Sequence, residues 1–254
     1  MSKKKEERQL QIRQILEKKE KIKVAELAKL LSVTPETLRK DLDELQERKI
    51  LVREHGYAKI QSSSVETFVE LKAQKNKEMK KIVALEAFSR IENGMTVYLD
   101  SGSTILTAIS ALRNKSDITI VTNSILVAYE CANMNLNIIM AGGLFNIGKR
   151  TYGHFATEII DHLNIDLAIM GTDAFTEKSH GFTTISADEL GFKRHVMNQS
   201  AKKIMISDAS KVNNKADIAP YAFCKFNEFD EFITNHLTPE QYDVVKTVKK
   251  VTQV

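Results

Sequence analysis

The chain has 254 residues, of which 43% are hydrophobic and 28% are charged, and its formal net charge is +4. This length suits one large domain or two modest ones, and the composition is ordinary for a globular protein. The apolar stretches are too short to cross a bilayer and the first residues lack the apolar region of a secretory signal, so we expect a cytoplasmic protein without a membrane partner. Two distant cysteines, Cys131 and Cys224, argue against a disulfide framework, and we expect no metal and no cofactor.

The positive charge is concentrated at the start of the chain. Residues 1–60 contain 16 Lys and Arg and 11 Asp and Glu, a net charge of +5, whereas the remaining residues sum to −1. A basic head on a near-neutral body suits a small polyanion-binding module joined to a second domain. Basic ends that are merely solvated are also common, so charge alone leaves both readings open.

Residues 1–60 are predicted to form three short helices. Apolar residues at helical spacing indicate a first helix around residues 12–16 and a second over residues 24–31. Thr34 and Pro35 predict the start of the third, because Thr is a good N-cap and Pro fits the first helical position. Its buried face is formed by leucines at i, i+4 and i+7, namely Leu38, Leu42 and Leu45.

A small hairpin is predicted after the third helix. Residues 50–53 and 57–60 read as two strands joined by a His55-Gly56 turn. Together with the helices, this pattern favours a winged helix-turn-helix domain over residues 1–60, whose last helix enters the DNA major groove.

The candidate DNA-binding residues lie on the third helix and on the wing. We expect the first turns of the helix to read bases, Arg39 being suited to guanine, and the wing to contact phosphates. The residues are Thr34, Glu36, Thr37, Arg39 and Lys40 on the helix, and Arg53 and Lys59 on the wing. The pairs Glu36–Lys40 and Arg39–Asp43 also fit an alternative in which they only stabilise an exposed helix.

Residues 61–76 are predicted to be a linker, with a charged helical stretch from about residue 65 to residue 90. Beyond residue 91, short apolar runs at 97–99, 118–121, 138–140, 167–170 and 204–206 alternate with helical windows. This alternation is typical of an α/β domain with a doubly wound, mostly parallel sheet, which we assign to residues 77–254.

A phosphate-binding loop is the first candidate site of this second domain. A strand at residues 96–99 runs into Asp100, Ser101, Gly102, Ser103 and Thr104, with a helix beginning near Ser103. Backbone N–H groups, hydroxyls and a helix start all favour a phosphate. Alternatively, the hydroxyls simply cap the helix.

Further polar corners follow other predicted strands, and in a parallel sheet they converge on one crevice. We expect carboxylates there to accept sugar hydroxyls and cations to neutralise a phosphate, although Lys193 and Arg150 could instead be ordinary surface charges. The corner residues are Thr122, Asn123, Ser124, Gly142, Gly143, Gly171 and Asp173; the further carboxylate is Glu189, and the candidate cations are Arg150, Lys193 and Lys211.

The chain resembles the DeoR family of sugar-metabolism regulators. Residues 8–60 resemble its N-terminal domain through Val24-Ala25-Glu26-Leu27-Ala28, Thr37-Leu38-Arg39-Lys40-Asp41-Leu42 and Arg53-Glu54-His55-Gly56. Residues 76–234 are similar to its C-terminal domain, which resembles the ribose-5-phosphate isomerase and glucosamine-6-phosphate deaminase fold, through the segments 100–104, 121–124, 142–143, 171–173 and 209–211.

Three positions depart from the family pattern. Lys40 stands where the family usually has Arg and keeps the charge without the bidentate fork. Tyr57 replaces the second glycine of the wing, and Phe175 follows the 171–173 corner, where we expect it to narrow the pocket.

The resemblance implies a DNA-binding repressor of a sugar or polyol operon. Its partners would be double-stranded operator DNA, a phosphorylated sugar or polyol effector and further copies of the chain, as a dimer or tetramer. An activator remains an alternative, because whether binding raises or lowers transcription depends on where the operator lies relative to the promoter. An isomerase or deaminase is the other, but residues 171–174 keep one carboxylate where those enzymes carry a pair, so we expect no catalysis.

Overall fold

The computed structural model describes residues 5, 8–9, 11–12, 15–16, 19, 21–47, 50–60, 72, 75–145, 149–214 and 219–254, without the side chain of residue 60. The chain divides into two compact units, Met1–Leu71 and Lys72–Val254. The predicted linker, residues 61–76, lies mostly outside the described residues. None of the described helices has the length and apolar character needed to cross a bilayer.

The first unit follows the predicted order with one added strand. Its elements are β1 (Ile22–Lys23), α1 (Val24–Leu30), α2 (Pro35–Glu47), β2 (Leu51–Glu54) and β3 (Tyr57–Ile60). The sheet order is β1-β3-β2, and both pairings are antiparallel. The predicted wing therefore gains a third strand, β1. A strand of two residues is too short to show the alternation of apolar and polar residues by which strands are predicted.

Local signals explain where α2 begins. Pro35 is its first residue, and the N–H of Thr37 donates to the Thr34 hydroxyl at 3.2 Å. The expected cap at Thr34 is therefore present. The leucines of the predicted stripe are fully buried in a core with Leu27 of α1 and with Ile12, which is itself helical.

A buried carboxylate ties the start of the chain to α2. Asp41 is 1% exposed, and Arg8 binds it with two guanidinium nitrogens, one of them at 3.2 Å. Such bidentate pairing offsets the desolvation cost of burying the charged carboxylate. The Leu-Arg-Lys-Asp-Leu run therefore contains a structural residue as well as exposed ones.

The wing turn accommodates the Tyr57 departure. His55 and Gly56 both have positive φ, 49° and 80°, which is the signature of the tight hairpin turn that matches strand twist. Tyr57 already belongs to β3, where no positive φ is needed. The ammonium groups of Lys21 and Lys23 lie 5.5 and 5.9 Å from its ring centre.

The second unit is a doubly wound α/β domain, as predicted. Its strands are β4 (Thr96–Leu99), β5 (Thr119–Thr122), β6 (Asn137–Met140), β7 (Leu144–Phe145), β8 (Thr151–Tyr152), β9 (Ile165–Gly171), β10 (Phe182–Thr184), β11 (Ser200–Ile206), β12 (Tyr221–Cys224), β13 (Glu231–Thr234) and β14 (Val251–Gln253). Its helices are α3 (Lys77–Phe88), α4 (Ser103–Ala108), α5 (Ile125–Ala132), α6 (His154–Asp161), α7 (Ala187–Asn198) and α8 (Pro239–Val245).

Seven strands form one fully parallel sheet in the order β14-β13-β11-β9-β4-β5-β6. Side chains alternate across it, so Val97 and Leu99 join the core under α3, α4 and α5, while Tyr98 joins the core under α6, α7 and α8. Both faces are thus covered, as apolar parallel strands require.

The strand order reverses beside β4. From β4 the chain proceeds to β5 and β6 on one side, and then returns to place β9 on the other. At such a switch point the loops leaving adjacent strands diverge and open a crevice at the carboxyl edge, where ligands usually bind. The loop after β4 carries the phosphate site that the sequence predicts, and the loop after β9 carries the predicted polar corner with Gly171 and Asp173.

Two sequence expectations are corrected. Helix α3 begins at Lys77 after a turn in which Asn76 has φ 56°, so the continuous helix predicted from residue 65 does not reach residue 77; most of residues 65–74 lie outside the described part. Phe175 is fully buried and packs 5.0 Å from the ring of Phe182, within a cluster of phenylalanines. It fills the core and does not narrow a pocket.

Candidate functional site

The predicted DNA-reading residues share the outer surface of α2. Thr34, Glu36, Arg39 and Lys40 are exposed, and Thr37 is half-buried. Lys40 and Glu36 pair at 3.5 Å. Asp43 pairs with Arg53 instead of Arg39, and within the described part of the chain no hydrogen bond or ion pair holds the Arg39 guanidinium. Arg39 is therefore available to an external partner.

The two wing cations are engaged within the first unit. Arg53 binds Asp43 and also donates from Nε to Gln46 at 3.1 Å, which fastens the wing to α2. Lys59 pairs across the hairpin with Glu54 at 2.7 Å. A phosphate would have to compete with these carboxylates, more so at Arg53, whose side chain is 28% exposed, than at the 40% exposed Lys59.

At the switch point, Asp100 joins the loops after β4 and β9. Its carboxylate accepts the N–H of Ser101 and of Gly171, each at 2.8 Å, and binds the Lys193 ammonium. The backbones meet closely, since a Cβ added to Gly171 would lie 3.9 Å from the Gly102 Cα. The 100–104 loop is therefore locked to β9, and its residues Ser103 and Thr104 are buried at the start of α4.

Lys193 is not a surface charge. It lies on α7, is 3% exposed, and its ammonium also donates to the Gly171 carbonyl at 2.9 Å. Burial by itself would lower the pKa of Lys193 and raise that of Asp100, but each group stabilises the other's charge. The net result is a raised pKa for Lys193 and a lowered pKa for Asp100, so the pair is ionised.

A second carboxylate lies beside the first. Asp173 accepts from Lys72 at 3.1 Å and from the Ile185 N–H at 3.1 Å, while Lys211 donates to the neighbouring Thr172 carbonyl. Burial would raise the pKa of Asp173, but Lys72 and Lys211 hold it at about 2. The predicted residues Asp173 and Lys211 thus meet at one corner, together with Lys72, which sequence reasoning missed.

Lys80 is a further cation that sequence reasoning missed. It is 3% exposed, and its ammonium donates to the Lys72 carbonyl and to the Ser103 hydroxyl, the latter at 3.3 Å. Burial, followed by the charge of Lys211, lowers the pKa of Lys80 to about 8. The signal was present, because position 80 shares the apolar stripe of α3 with Val83, Ala84 and Ala87.

The corner after β5 is connected to Asp100 through Tyr98. The Tyr98 hydroxyl donates to the Asn123 side-chain oxygen at 3.3 Å and lies 3.5 Å from the Asp100 carboxylate. Thr122 donates to the Leu99 carbonyl at 2.7 Å, and Ser124 caps α5 by accepting from the Val127 N–H. The predicted corner residue Ser124 is therefore engaged as a helix cap.

The remaining predicted residues adjoin this corner. Arg150 pairs with Glu189 at 3.2 Å, and both side chains are nearly buried. Gly143 has φ 128°, and a Cβ there would lie 2.4 Å from the Tyr152 carbonyl, so its glycine is required by the chain path. Gly142 has ordinary space around it.

The arrangement combines cations, hydroxyls and carboxylates at one edge of the sheet. Burial is the main reason why the pKa values of Lys80 and Lys211 are lowered, and repulsion from the neighbouring lysines, Lys72 among them, lowers them further. An anion placed among them would relieve that repulsion, while Asp173 can accept hydroxyl donors. Such a set suits a polyol that carries a phosphate.

Comparisons with known proteins agree with this organisation. Residues 8–64 match the family model described as the DeoR-like helix-turn-helix domain, and residues 75–236 match the DeoR C terminal sensor domain. The second match alone covers more than half of the chain.

Named relatives match along most of their length. The uncharacterized HTH-type transcriptional regulator FruR of Bacillus subtilis is 31% identical over 96% of this chain and 98% of its own. The glycerol-3-phosphate regulon repressor of Escherichia coli K12 is 30% identical over 77% of this chain and 78% of its own. Among solved structures, ribose 5-phosphate isomerase from Plasmodium falciparum aligns with a TM-score of 0.39 and 23% identity over 53% of this chain and 52% of that chain.

Proposed function

The chain belongs to the DeoR family of DNA-binding transcriptional regulators, and we propose that it represses an operon for the use of a sugar or polyol. A phosphorylated sugar or polyol, bound by the second unit, weakens its binding to operator DNA. The observation that carries the effector proposal is the convergence of Lys72, Lys80, Lys211 and Asp173 at the switch point of the parallel sheet.

In the first unit, α2 reads the operator. Arg39, exposed and without a partner among the described residues, is the base-reading group, and it suits a guanine edge. Thr34, Glu36, Thr37 and Lys40 surround it and contact bases or nearby phosphates. Arg53 and Lys59 reach phosphates by exchanging their carboxylate partners for DNA.

In the second unit, the phosphate lies against the cations and the sugar hydroxyls face the carboxylates. Lys80 and Lys211 neutralise the phosphate, with Ser103 as a hydroxyl donor. Asp173 accepts sugar hydroxyls. Asp100 is already saturated by Lys193 and two N–H groups, so this pair holds the loops in place and leaves ligand contacts to its neighbours.

Release from DNA requires only that the effector prefer one of two arrangements of the protein. A coupling of about 1–3 kcal/mol between the two sites changes operator occupancy substantially. Because a single recognition helix makes few base contacts, the chain acts as a dimer or tetramer that reads repeated half-sites.

The test measures binding of both ligands to the full-length protein. Thermal unfolding is followed with glycerol 3-phosphate and with ribose, glucosamine and tagatose phosphates, each beside its unphosphorylated counterpart. A true effector raises the unfolding temperature by mass action and lowers the affinity for promoter DNA measured by fluorescence anisotropy. Stabilisation by the unphosphorylated compounds alone would contradict the phosphate assignment.

Two further outcomes bear on the proposal. Conversion of any of these phosphates by the purified protein would contradict a purely regulatory role. In cells, deleting the gene is expected to raise transcription of the controlled operon, whereas a fall would identify an activator.

A further inference from the structure

An apolar patch on the second unit has no role in the proposed function described so far. It consists of Ile125 and Tyr129 on α5, Leu144 and Phe145 on β7, and Phe155 at the start of α6. Tyr129 is 64% exposed, Leu144 65%, Phe145 57% and Phe155 70%, with Ile125 at 38%. Isolated exposed apolar residues are ordinary, but four large ones exposed by more than half need an explanation.

The three elements that carry the patch are joined to one another. The N–H of Ile125 donates to the Lys149 carbonyl at 3.0 Å, where the chain returns toward β8. β7 pairs with β8, and a Cβ on Gly143 would lie 3.5 Å from the Ala156 side chain of α6. The start of α5, the β7–β8 ribbon and the first turn of α6 therefore form one region.

The area of the patch is on the scale of a dimer interface. Aromatic side chains bury about 150–250 Å² each, so covering Tyr129, Phe145 and Phe155 removes roughly 300–500 Å² from water. With Leu144 and Ile125 added, the five side chains supply more than half of the roughly 800 Å² that each partner buries in a stable complex. Aromatic residues are also those enriched at the centres of such interfaces.

The edge of β7 supplies a second feature. The ribbon has two strands, and in the part of the chain that the structure describes no third strand pairs with β7. An open edge offers backbone donors and acceptors to another strand. Two copies related by a two-fold axis present the same edge and the same side chains to each other, which antiparallel pairing satisfies.

We propose that this apolar patch is the surface on which a second copy of the chain docks. The inference rests on the self-association included in the proposed function and assigns it to a place in the fold. The β7 edges of the two copies pair at the centre, with Leu144 on one face of the ribbon and Phe145 on the other, and with Tyr129 and Phe155 around them.

The interface would also adjoin the candidate effector site. Strand β8 fixes Asn123, since the Asn123 amide donates to the Thr151 carbonyl at 3.0 Å and the Thr151 N–H donates to the Asn123 carbonyl at 2.8 Å. Docking at the ribbon therefore constrains a corner of the effector site. A ligand bound at that corner would in turn affect how the two copies are arranged.

The test is sedimentation equilibrium of the full-length chain without DNA or sugar phosphate. The unmodified protein is expected to be at least dimeric at micromolar concentration, and Phe145→Glu with Phe155→Glu is expected to raise the dissociation constant at least 100-fold. Tyr242→Glu is the matched control, because Tyr242 is 44% exposed on α8 and lies outside the patch. Unfolding temperatures of all variants verify that they fold.

Crosslinking gives an independent readout. Cys131 and Cys224 are buried and their thiol pKa values are raised to about 12 by burial, so a short bismaleimide should join copies only through an added cysteine. Phe155→Cys is expected to yield covalent dimers and Tyr242→Cys is not. An oligomer insensitive to both glutamates would overturn only the assignment of the interface to this patch. A monomeric unmodified chain would overturn this proposal together with the self-association on which the proposed function relies. Neither result would bear on effector binding by the single chain.

Discussion

Replacing Lys193 with Met is expected to destabilise the second unit strongly. The substitution keeps the length of the side chain but leaves the buried Asp100 carboxylate without its cation. Its remaining donors are the N–H groups of Ser101 and Gly171 and, at 3.5 Å, the hydroxyls of Tyr98 and Ser101. Both members of the pair are about 4% exposed on their side chains. Breaking a buried pair in this way costs about 3–5 kcal/mol in the free energy of unfolding, because the remaining charge stays desolvated.

Urea unfolding measures this cost. The protein contains six tyrosines and no tryptophan, and only Tyr57 lies in the first unit, so tyrosine fluorescence reports chiefly on the second. Lys246→Met is the control, since Lys246 pairs with Asp243 at 3.4 Å on the surface and its loss should leave the midpoint unchanged.

A double variant separates charge from packing. Asp100→Asn combined with Lys193→Met removes both charges of this buried pair, and the two changes are expected to couple favourably by about 1–3 kcal/mol. A loss below about 1 kcal/mol for Lys193→Met alone, or strictly additive losses in the double variant, would refute the account of the pair as an interdependent buried unit.

Three further predictions concern the two sites. Arg39→Ala is expected to weaken specific operator binding by about 1–3 kcal/mol and non-specific binding much less; equal losses in anisotropy titrations would mean that Arg39 touches only phosphate. Lys211→Ala is expected to abolish the effector response while operator affinity is unchanged, and a normal response would remove Lys211 from the site. Because the pKa of Lys80 is lowered to about 8, its charge is lost as the pH rises through that value, so effector affinity measured by calorimetry should fall between pH 7 and 9. Lys80→Arg stays charged over that range and should abolish the fall; an equally steep profile in that variant would assign the titration elsewhere.

The elements that were predictable from the sequence are those with local signals. Thr34-Pro35 marks the start of α2 and His55-Gly56 marks the wing turn, because capping and tight turns depend on neighbouring residues. The apolar runs of the second unit predicted the parallel sheet. The polar residues following β4 and β9 indicated the edge at which the strand order reverses.

What could not be predicted depends on distant partners. The burial of Lys193 requires Asp100, which lies 93 positions earlier. Phe175 follows a polar corner in sequence, yet it packs against Phe182 and Phe232 because the chain turns inward after Asp173. Lys80 was overlooked, although its place on the apolar stripe of α3 was visible, because its partner Lys72 could not be placed near it.

Lys72 is the first residue of the second unit, and its ammonium binds Asp173. Its carbonyl is held in turn by Lys80. A molecule that competes for either contact therefore acts one peptide bond away from Leu71, the last residue of the first unit. A displacement of Lys72 would pass to the first unit through the polypeptide backbone. It would require no change in the seven-stranded sheet.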